Sequence, residues 1–276
     1  MAKGKRPRRV AGNDDPLSVA VSERDRGALD LVEQAIDRKD VLLAYQPVME
    51  ANRPNKTAFH EALIRVLDKN GRIIPARDFI ETVETRELGR KLDCLALELG
   101  LQTLRNNPNL RLSINLSARS MGYPPWMETL CTGIEGDRSV AERLILEVTE
   151  ESAMLMPDLV TVFMRDLQSE GICFALDDFG AGMTSFRHLR DFYFDILKLD
   201  GQFIRNISKS TDDQVLVEAM VGIARHFDMF TVAECVETAG DASLLQAMGV
   251  DCLQGFFFGA PTTAPPWEKG RGRNAA

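Results

Sequence analysis

The segment Ile172–Gly182 reads ICFALDDFGAG, an apolar run that ends in two adjacent carboxylates and a glycine-rich loop. A short apolar run after Gly171 is typical of a strand buried in a parallel sheet. Two neighbouring anions repel each other and are costly to remove from water, so Asp177 and Asp178 require a compensating group such as a bound cation. A solvated turn is the alternative, because Asp and Gly are common turn residues. This segment therefore predicts a buried strand and leaves a metal site and a turn both open.

Similar strand-like runs recur along the chain. From Leu110 onward, short apolar runs alternate with helical segments, which is typical of an α/β fold with a parallel sheet. Two earlier runs bring the number of predicted strands to about eight, which predicts an α/β barrel. A doubly wound open sheet is the runner-up, but no Gly-x-Gly-x-x-Gly turn follows the first strand. The predicted strands are 41–45, 57–66, 111–115, 144–148, 172–176, 196–199, 231–234 and 252–254.

The helices and the chain ends define the predicted domain. Residues 1–24 are basic and then polar, without apolar periodicity, and predict a flexible tail. Helical spacing of apolar residues begins near Arg26, so the domain is predicted to span residues 25–265, followed by a C-terminal tail at 266–276. Further helices are predicted to start near Pro75, to include Leu88 and Leu99, and to cover 126–134, 155–169, 212–227 and 240–248.

Composition excludes several classes of protein. The chain has 276 residues, 45% of them hydrophobic, which suits one large core. The net charge is -8, and five of the 33 basic residues lie in the first nine positions, so the acidic body is a poor surface for DNA or RNA. Five scattered cysteines indicate a reducing compartment rather than a disulfide framework. No run reaches the ~18 apolar residues of a membrane span. A soluble cytoplasmic protein without a membrane partner is expected.

Polar residues recur where the predicted strands end. In an α/β barrel these ends converge on one face, where such enzymes carry their chemistry. A solvated edge or a helix cap would explain any one of them, whereas the repeated pattern indicates a shared site. The residues are Glu61, Asn115, Glu147, Asp177 with Asp178, Lys198, Glu234 and Gln254.

The chemistry of this set indicates metal binding. Five carboxylates and two amides, without His or Cys, are hard oxygen donors that suit Mg²⁺ or Mn²⁺. So many anions suggest two ions, bridged by a carboxylate such as Asp177, that activate water for displacement at phosphorus. Lys198 is then a candidate for orienting or deprotonating that water, and a salt bridge to a carboxylate is the compatible alternative. Calcium is expected to bind without supporting turnover.

With these motifs the sequence resembles the EAL-domain family of cyclic di-GMP phosphodiesterases. The three-letter signature Glu61-Ala62-Leu63 alone is weak, but eight motifs in the same order are specific and cover residues 40–262. The motifs are YQP at 45–47, EALIR at 61–65, SINLS at 113–117, LEVTE at 146–150, LDDFGAG at 176–182, LKLD at 197–200, VAECVET at 232–238 and QGF at 254–256.

The resemblance implies a modified TIM (β/α)8 barrel whose first strand is antiparallel. It also implies metal-dependent hydrolysis of cyclic di-GMP to pGpG, which lowers the level of this bacterial second messenger. It assigns Glu150 to anchoring the loop 179–186. It implies a first metal held by Glu61, Asn115, Glu147 and Asp177, and a second metal held by Asp177, Asp178 and Glu234. It assigns catalysis to Glu61, Lys198 and Gln254. It assigns substrate contacts to Gln46, Leu63 and Arg65.

One departure from the family pattern lies beside the site. Cys235 replaces the usual Gly directly after Glu234, where a side chain either crowds the backbone or makes the site oxidisable. Strand alternation favours a thiol that points away from the site, whereas a bend at the strand end would turn it inward. A catalytically weak or inactive domain, acting as a cyclic di-GMP receptor or a protein-interaction module, therefore stays open, as does a homodimer formed through the barrel.

Overall fold

A computed structural model describes residues 16–182 and 189–268. Within these residues eight strands close into a barrel in the order β1-β9-β8-β7-β6-β5-β4-β2, with β1 paired to β2 and with the short β3 attached outside β2. This confirms the predicted α/β barrel. The strands are β1 (Val41–Glu50), β2 (Arg53–Leu67), β3 (Ile73–Pro75), β4 (Leu112–Asn115), β5 (Leu144–Thr149), β6 (Cys173–Phe179), β7 (Ile196–Leu199), β8 (Phe230–Ala233) and β9 (Cys252–Gln254).

The first strand runs against the rest of the barrel. Strand β1 is antiparallel to both β2 and β9, while the other barrel strands are parallel to their neighbours. It continues past Pro47, where the sequence predicted its end. Proline lacks the N–H that a ladder needs, but pairing with β9 begins only at Val48, so no ladder hydrogen bond is lost there. The antiparallel first strand is thereby confirmed.

Helices surround the barrel and follow most strands. Those after β5, β7 and β8 match the predicted helical segments to within a few residues, except that the segment 155–169 is divided at Met156. The helices are α1 (Pro16–Arg38), α2 (Ile80–Val83), α3 (Glu87–Asn106), α4 (Pro124–Ile134), α5 (Arg138–Ala141), α6 (Glu150–Leu155), α7 (Pro157–Gln168), α8 (Gly201–Ile204), α9 (Thr211–His226) and α10 (Ala239–Ala247), with 3-10 turns at Ala76–Asp78, Ala118–Ser120 and Ile207–Lys209.

The predicted ends of the domain need correction. Helix α1 begins at Pro16, well before the start predicted near Arg26, so residues 16–24 are helical rather than tail. Proline is favoured in the first helical turn, and no breaker follows it, which explains the early start. Trp267, assigned to the C-terminal tail, packs edge-on against Tyr45 and His60 with ring centroids 5.2 and 4.6 Å apart. Flexibility of residues 1–15 stays a prediction, outside the described residues.

The barrel strands alternate between a helix-facing side and the barrel interior. One cluster of buried side chains packs the strands against the helices, and a smaller one fills the amino-terminal half of the interior. In the second cluster Phe59, Ile145, Ala175, Ile196 and Val232 come from five different strands. These side chains close the barrel below the site described next. None of the described helices is both long and apolar enough to cross a bilayer.

Candidate active site

The predicted site residues share one face of the strands. Glu61, Glu147, Asp177, Lys198 and Glu234 each follow an apolar interior residue by two positions. Because side chains on a strand repeat with a period of two, this spacing directs the polar groups into the barrel interior, at the carboxyl ends of the strands. The lining of the barrel interior therefore changes from apolar to ionic within two residues along each of these strands.

Lys198 is the centre of this polar layer. Its ammonium is fully buried and lies 2.8 Å from Glu147 Oε2, 2.9 Å from Asp177 Oδ1 and 2.8 Å from Glu234 Oε1. A fourth carboxylate, Glu61 Oε2, lies at 3.8 Å. Lys198 therefore forms salt bridges to several carboxylates, as the alternative role for this lysine predicted. An ammonium has three donors, and the three nearest oxygens account for all of them.

The protonation of this cluster is strongly perturbed. Burial alone disfavours a charged amine, but Asp177, Glu147 and the other carboxylates raise the pKa of Lys198 well above its usual value. Burial raises the pKa of Glu234 to about 8, with Lys198 opposing that shift and Asp177 adding to it. Burial and Asp177 raise the pKa of Asp178 to about 6. These shifts indicate more negative charge than one lysine compensates.

Glu61 is held by amides. Gln254 Nε2 donates to Glu61 Oε2 at 2.5 Å and to Gln46 Oε1 at 3.3 Å, while Asn115 Nδ2 donates to Glu61 Oε1 at 3.3 Å. Gln46 in turn donates to the carbonyl of Gly259 at 3.0 Å. The predicted residues Gln46, Glu61, Asn115 and Gln254 therefore form one connected network.

A bulge brings the two adjacent aspartates together. The pairing of β6 with β7 shifts register between Leu176 and Phe179, and Asp178 adopts a left-handed φ of 55°. Adjacent residues on a regular strand point to opposite faces, whereas a bulge redirects one of them. Carboxylate oxygens of Asp177, Asp178 and Glu234 consequently lie within 4.8 Å of one another. These three residues are the set that the resemblance assigned to a second metal.

Glu150 contacts the loop that it was predicted to anchor. Its buried carboxylate accepts a hydrogen bond from Gly180 N at 3.0 Å. Gly180 has a φ of 93°, and a Cβ there would lie 2.7 Å from Phe203, so this turn requires glycine. Residues 183–186 of the predicted loop 179–186 lie outside the described part of the chain. The anchoring role stays a prediction.

Two cavities open from the polar layer. A cleft of about 470 Å³ is lined by Gln46, Leu63 and Arg65 together with carboxylates of the polar layer. A side cavity of about 410 Å³ extends from Glu61 and Asn115 toward α3, where burial raises the pKa of Asp93 to about 6. Both volumes are typical of small-molecule sites. A third cavity, of about 490 Å³, lies at the opposite end of the barrel and lacks a comparable buried ionic cluster among its lining residues.

Sequence reasoning missed three residues of these cavities. Arg77 and Arg205 line the cleft, and Asp93 lines the side cavity. All three lie on helices, turns or loops, so a search for polar residues at strand ends does not detect them. Arg77 lies near the helix start predicted at Pro75, but nothing in its local sequence distinguishes it from a solvated side chain.

Cys235 borders the cleft, contrary to the orientation favoured by strand alternation. Strand β8 ends at Ala233, and Cys235 adopts a φ of 54°, so the alternation of a regular strand no longer applies. Its Sγ accepts a hydrogen bond from Arg205 Nη2 at 3.1 Å. Burial raises the pKa of the Cys235 thiol, although Arg205 opposes the shift, which disfavours a reactive thiolate. The Cys235 side chain leaves no room for one at position 201, since a Cβ on Gly201 would lie 2.5 Å from Cys235 Sγ.

This contact predicts that positions 201 and 235 are energetically coupled. Gly201→Ala should lower the free energy of unfolding by about 1–3 kcal/mol because its methyl group overlaps Cys235. In a Cys235→Gly background the same change should cost less than about 0.5 kcal/mol, since no thiol remains to be displaced. Cys235→Gly alone should keep the fold, because glycine tolerates the left-handed backbone.

Urea unfolding of the four proteins measures the coupling. Gly222→Ala is the matched control, because a Cβ at Gly222 meets nothing within 4 Å. Equal losses from Gly201→Ala in both backgrounds would show that the thiol is not the obstacle.

The fold and the site together define a class of protein: a modified α/β barrel with a carboxylate-rich site at the carboxyl ends of its strands. The family model of the EAL domain matches residues 30–261, most of the chain. The chain belongs to the EAL-domain family.

Several known proteins are similar to it. The cyclic di-GMP phosphodiesterases PdeB of Shewanella oneidensis and PdeF of Escherichia coli are each 30% identical over 83% of this chain, which spans 27% and 31% of their lengths. The chain thus covers less than a third of these relatives. The solved structure of the MucR phosphodiesterase in complex with c-di-GMP covers 88% of this chain and is itself covered to 99%, with a TM-score of 0.79 and 28% identity. The FimX EAL domain of Pseudomonas aeruginosa, bound to c-di-GMP, has the same fold, with a TM-score of 0.78 at 20% identity over 86% of this chain and 97% of its own.

Proposed function

We propose that this chain is a metal-dependent phosphodiesterase that hydrolyses cyclic di-GMP to pGpG. The observation that carries the proposal is the charge of the buried cluster: Glu61, Glu147, Asp177 and Glu234 surround the single ammonium of Lys198. A buried excess of carboxylates is costly unless cations compensate it. The kinship with named cyclic di-GMP phosphodiesterases supports the choice of substrate.

The residues of the cluster fit Mg²⁺ or Mn²⁺. Its donors are carboxylate and amide oxygens, which these hard ions prefer. Glu147 Oε1 is buried and has no hydrogen-bond partner among the described residues, so it is available as a ligand. Two bound ions supply water activation and charge stabilisation for displacement at phosphorus. The proposed first set is Glu61, Asn115, Glu147 and Asp177, and the second is Asp177, Asp178 and Glu234.

The organic side chains position the reactants. Lys198 orients three carboxylates through its three donors, and one of these donors would serve the attacking water if a carboxylate held a metal ion instead. Gln254 Oε1 is buried and unpartnered within the described ranges, so it can accept a hydrogen bond from that water. The oxygen of water bonds to phosphorus, the bond to the 3′ oxygen breaks, and that oxygen takes up the proton that the water loses, so the linear product has a 3′ hydroxyl and retains a 5′ phosphate.

The cleft and the side cavity accommodate the substrate on both sides of the cluster. They share Glu61, Leu63 and Asp178, so a dinucleotide whose phosphate lies at the carboxylates can extend into each cavity. Arg65 offers a planar guanidinium that suits a phosphate in a cleft whose charged lining is mostly carboxylate. The MucR phosphodiesterase, whose solved structure at 28% identity is a complex with c-di-GMP, supports cyclic di-GMP as the ligand of this site.

Incubation of the pure protein with cyclic di-GMP tests the proposal, with pGpG followed by chromatography. Hydrolysis should require Mg²⁺ or Mn²⁺ and stop in EDTA, because the acidic cluster needs cations to accept a phosphodiester. The larger Ca²⁺ should allow binding without turnover, because it takes more ligands in a looser geometry. Undiminished hydrolysis in EDTA would contradict the metal requirement, and metal-dependent binding without pGpG would identify a receptor.

A further inference from the structure

Of the three arginines among the described residues that line the cleft, Arg65 and Arg205 reach it from opposite sides of the barrel. Arg65 belongs to β2, and Arg205 follows β7. In the closed order of eight strands, β2 and β7 are separated by four steps in either direction, so they are diametrically opposed. Both side chains nevertheless line the same cleft. A ligand in this cleft therefore meets a guanidinium on each wall.

Arg205 is a cation without a carboxylate partner. Other arginines, such as Arg38, Arg53 and Arg90, form ion pairs within 4.0 Å of a carboxylate, but none joins Arg205 to any described residue. Its one side-chain hydrogen bond runs from Nη2 to Cys235 Sγ at 3.1 Å. A thiol sulfur is a weak acceptor, so the five donors of this guanidinium are largely unsatisfied by protein groups. Such a group at the wall of a cleft is suited to bind an anion bidentately.

The charge around Arg205 restricts the anion that it meets. Asp178, Glu234 and Glu237 line the same cleft, so an incoming anion is repelled unless a cation compensates it locally. Cyclic di-GMP carries two phosphates on opposite sides of its ring. Hydrolysis requires one of them at the carboxylate cluster, which leaves the other in one of the two adjoining cavities, and the cleft is the cavity lined by Arg205.

We propose that Arg205 binds the phosphate of cyclic di-GMP that is not hydrolysed. This inference rests on the proposed function for its substrate. Arg205 then determines affinity for a cyclic dinucleotide and does not act on the reacting phosphorus. Cys235 contacts the guanidinium from the side and leaves its remaining donors to the ligand.

Kinetics with two substrates test this role. Arg205→Ala should raise KM for cyclic di-GMP about 10- to 100-fold, the range expected for lost hydrogen bonds to a charged group, with kcat changed less than about threefold. Arg205→Lys should restore only part of the affinity, because lysine keeps the positive charge but lacks the bidentate fork of arginine. Hydrolysis of bis(p-nitrophenyl) phosphate, which has a single phosphate, should be equally fast in wild type and variant. Arg165→Ala is the control, since Arg165 lies on α7 with 72% of its side chain exposed.

The outcomes separate this inference from the proposed function. Calorimetry with cyclic di-GMP and Ca²⁺ should show that Arg205→Ala raises Kd by the same factor as it raises KM. This measurement does not depend on whether the wild type hydrolyses the substrate. An unchanged KM and Kd, or equal losses on both substrates, would overturn the role of Arg205. Binding without hydrolysis in the wild type would overturn the proposed function alone, with Arg205 still judged by Kd. Absence of both binding and hydrolysis would overturn both proposals.

Discussion

Asp177→Asn is expected to lower kcat for cyclic di-GMP at least about 1,000-fold, equivalent to about 4 kcal/mol of transition-state stabilisation. Asp177 is buried, contacts Lys198 at 2.9 Å and lies within 4.8 Å of the carboxylates of Asp178 and Glu234. It is the one residue proposed for both metal sets. An amide keeps the shape of the side chain but removes a charged ligand from each site.

The stability of Asp177→Asn toward urea distinguishes a catalytic defect from a loss of folding. Because Asp177→Asn removes one of several crowded anions, the metal-free protein should unfold at the same or a higher urea concentration than wild type. Asp166→Asn is the control, with 66% of its side chain exposed on α7. Full activity of Asp177→Asn, or a loss explained by unfolding, would contradict the proposed role.

Lys198→Met is expected to affect both catalysis and stability. Methionine has a similar length but no charge, so Glu147, Asp177 and Glu234 lose the ammonium that now lies within 2.9 Å of each. Removal of one partner from a buried ionic group costs about 3–5 kcal/mol, and we expect that loss in EDTA. Millimolar Mn²⁺ should restore part of it, since a ligand that binds only the folded state stabilises it.

The kinetic effect should persist when metal is present. With Mn²⁺ bound, kcat of Lys198→Met should stay at least about 100-fold below wild type, because the proposed contact with the attacking water is lost. Lys69→Met, at an exposed turn, controls for the loss of one positive charge. An unchanged urea midpoint in EDTA would show that the carboxylates are neutral without Lys198, and an unchanged kcat would exclude its role in water handling.

The barrel and most of its site followed from local patterns in the sequence. Polar residues such as Glu147 and Lys198 were detectable because each lies at or near the end of an apolar, strand-like run. The wall residues Arg77 and Arg205 were not detectable, because their approach to the cleft depends on how turns and helices pack over the barrel. The start of α1 was misplaced because residues 16–24 follow a basic and polar stretch and were assigned with it to a tail, although Leu17, Ala20 and Val21 stand at helical spacing.

Backbone conformation explains the remaining differences. The sequence showed that Asp177 and Asp178 are adjacent but not that a bulge brings their carboxylates together. Likewise, alternation predicted that the Cys235 thiol points away from the site, whereas its left-handed backbone directs it to the cleft. Bulges and left-handed residues are set by several strands at once, so a single strand's sequence carries little signal for them.

Anomalous diffraction at the manganese edge, from crystals grown with Mn²⁺ and cyclic di-GMP, tests the central claim most directly. The claim predicts two manganese peaks per chain, separated by about 3.5–4 Å, with Asp177 between them. One peak should lie beside Glu61, Asn115 and Glu147, and the other beside Asp178 and Glu234. Substrate bound in the cleft with no manganese at these carboxylates, or with a single ion away from Asp177, would contradict the claim.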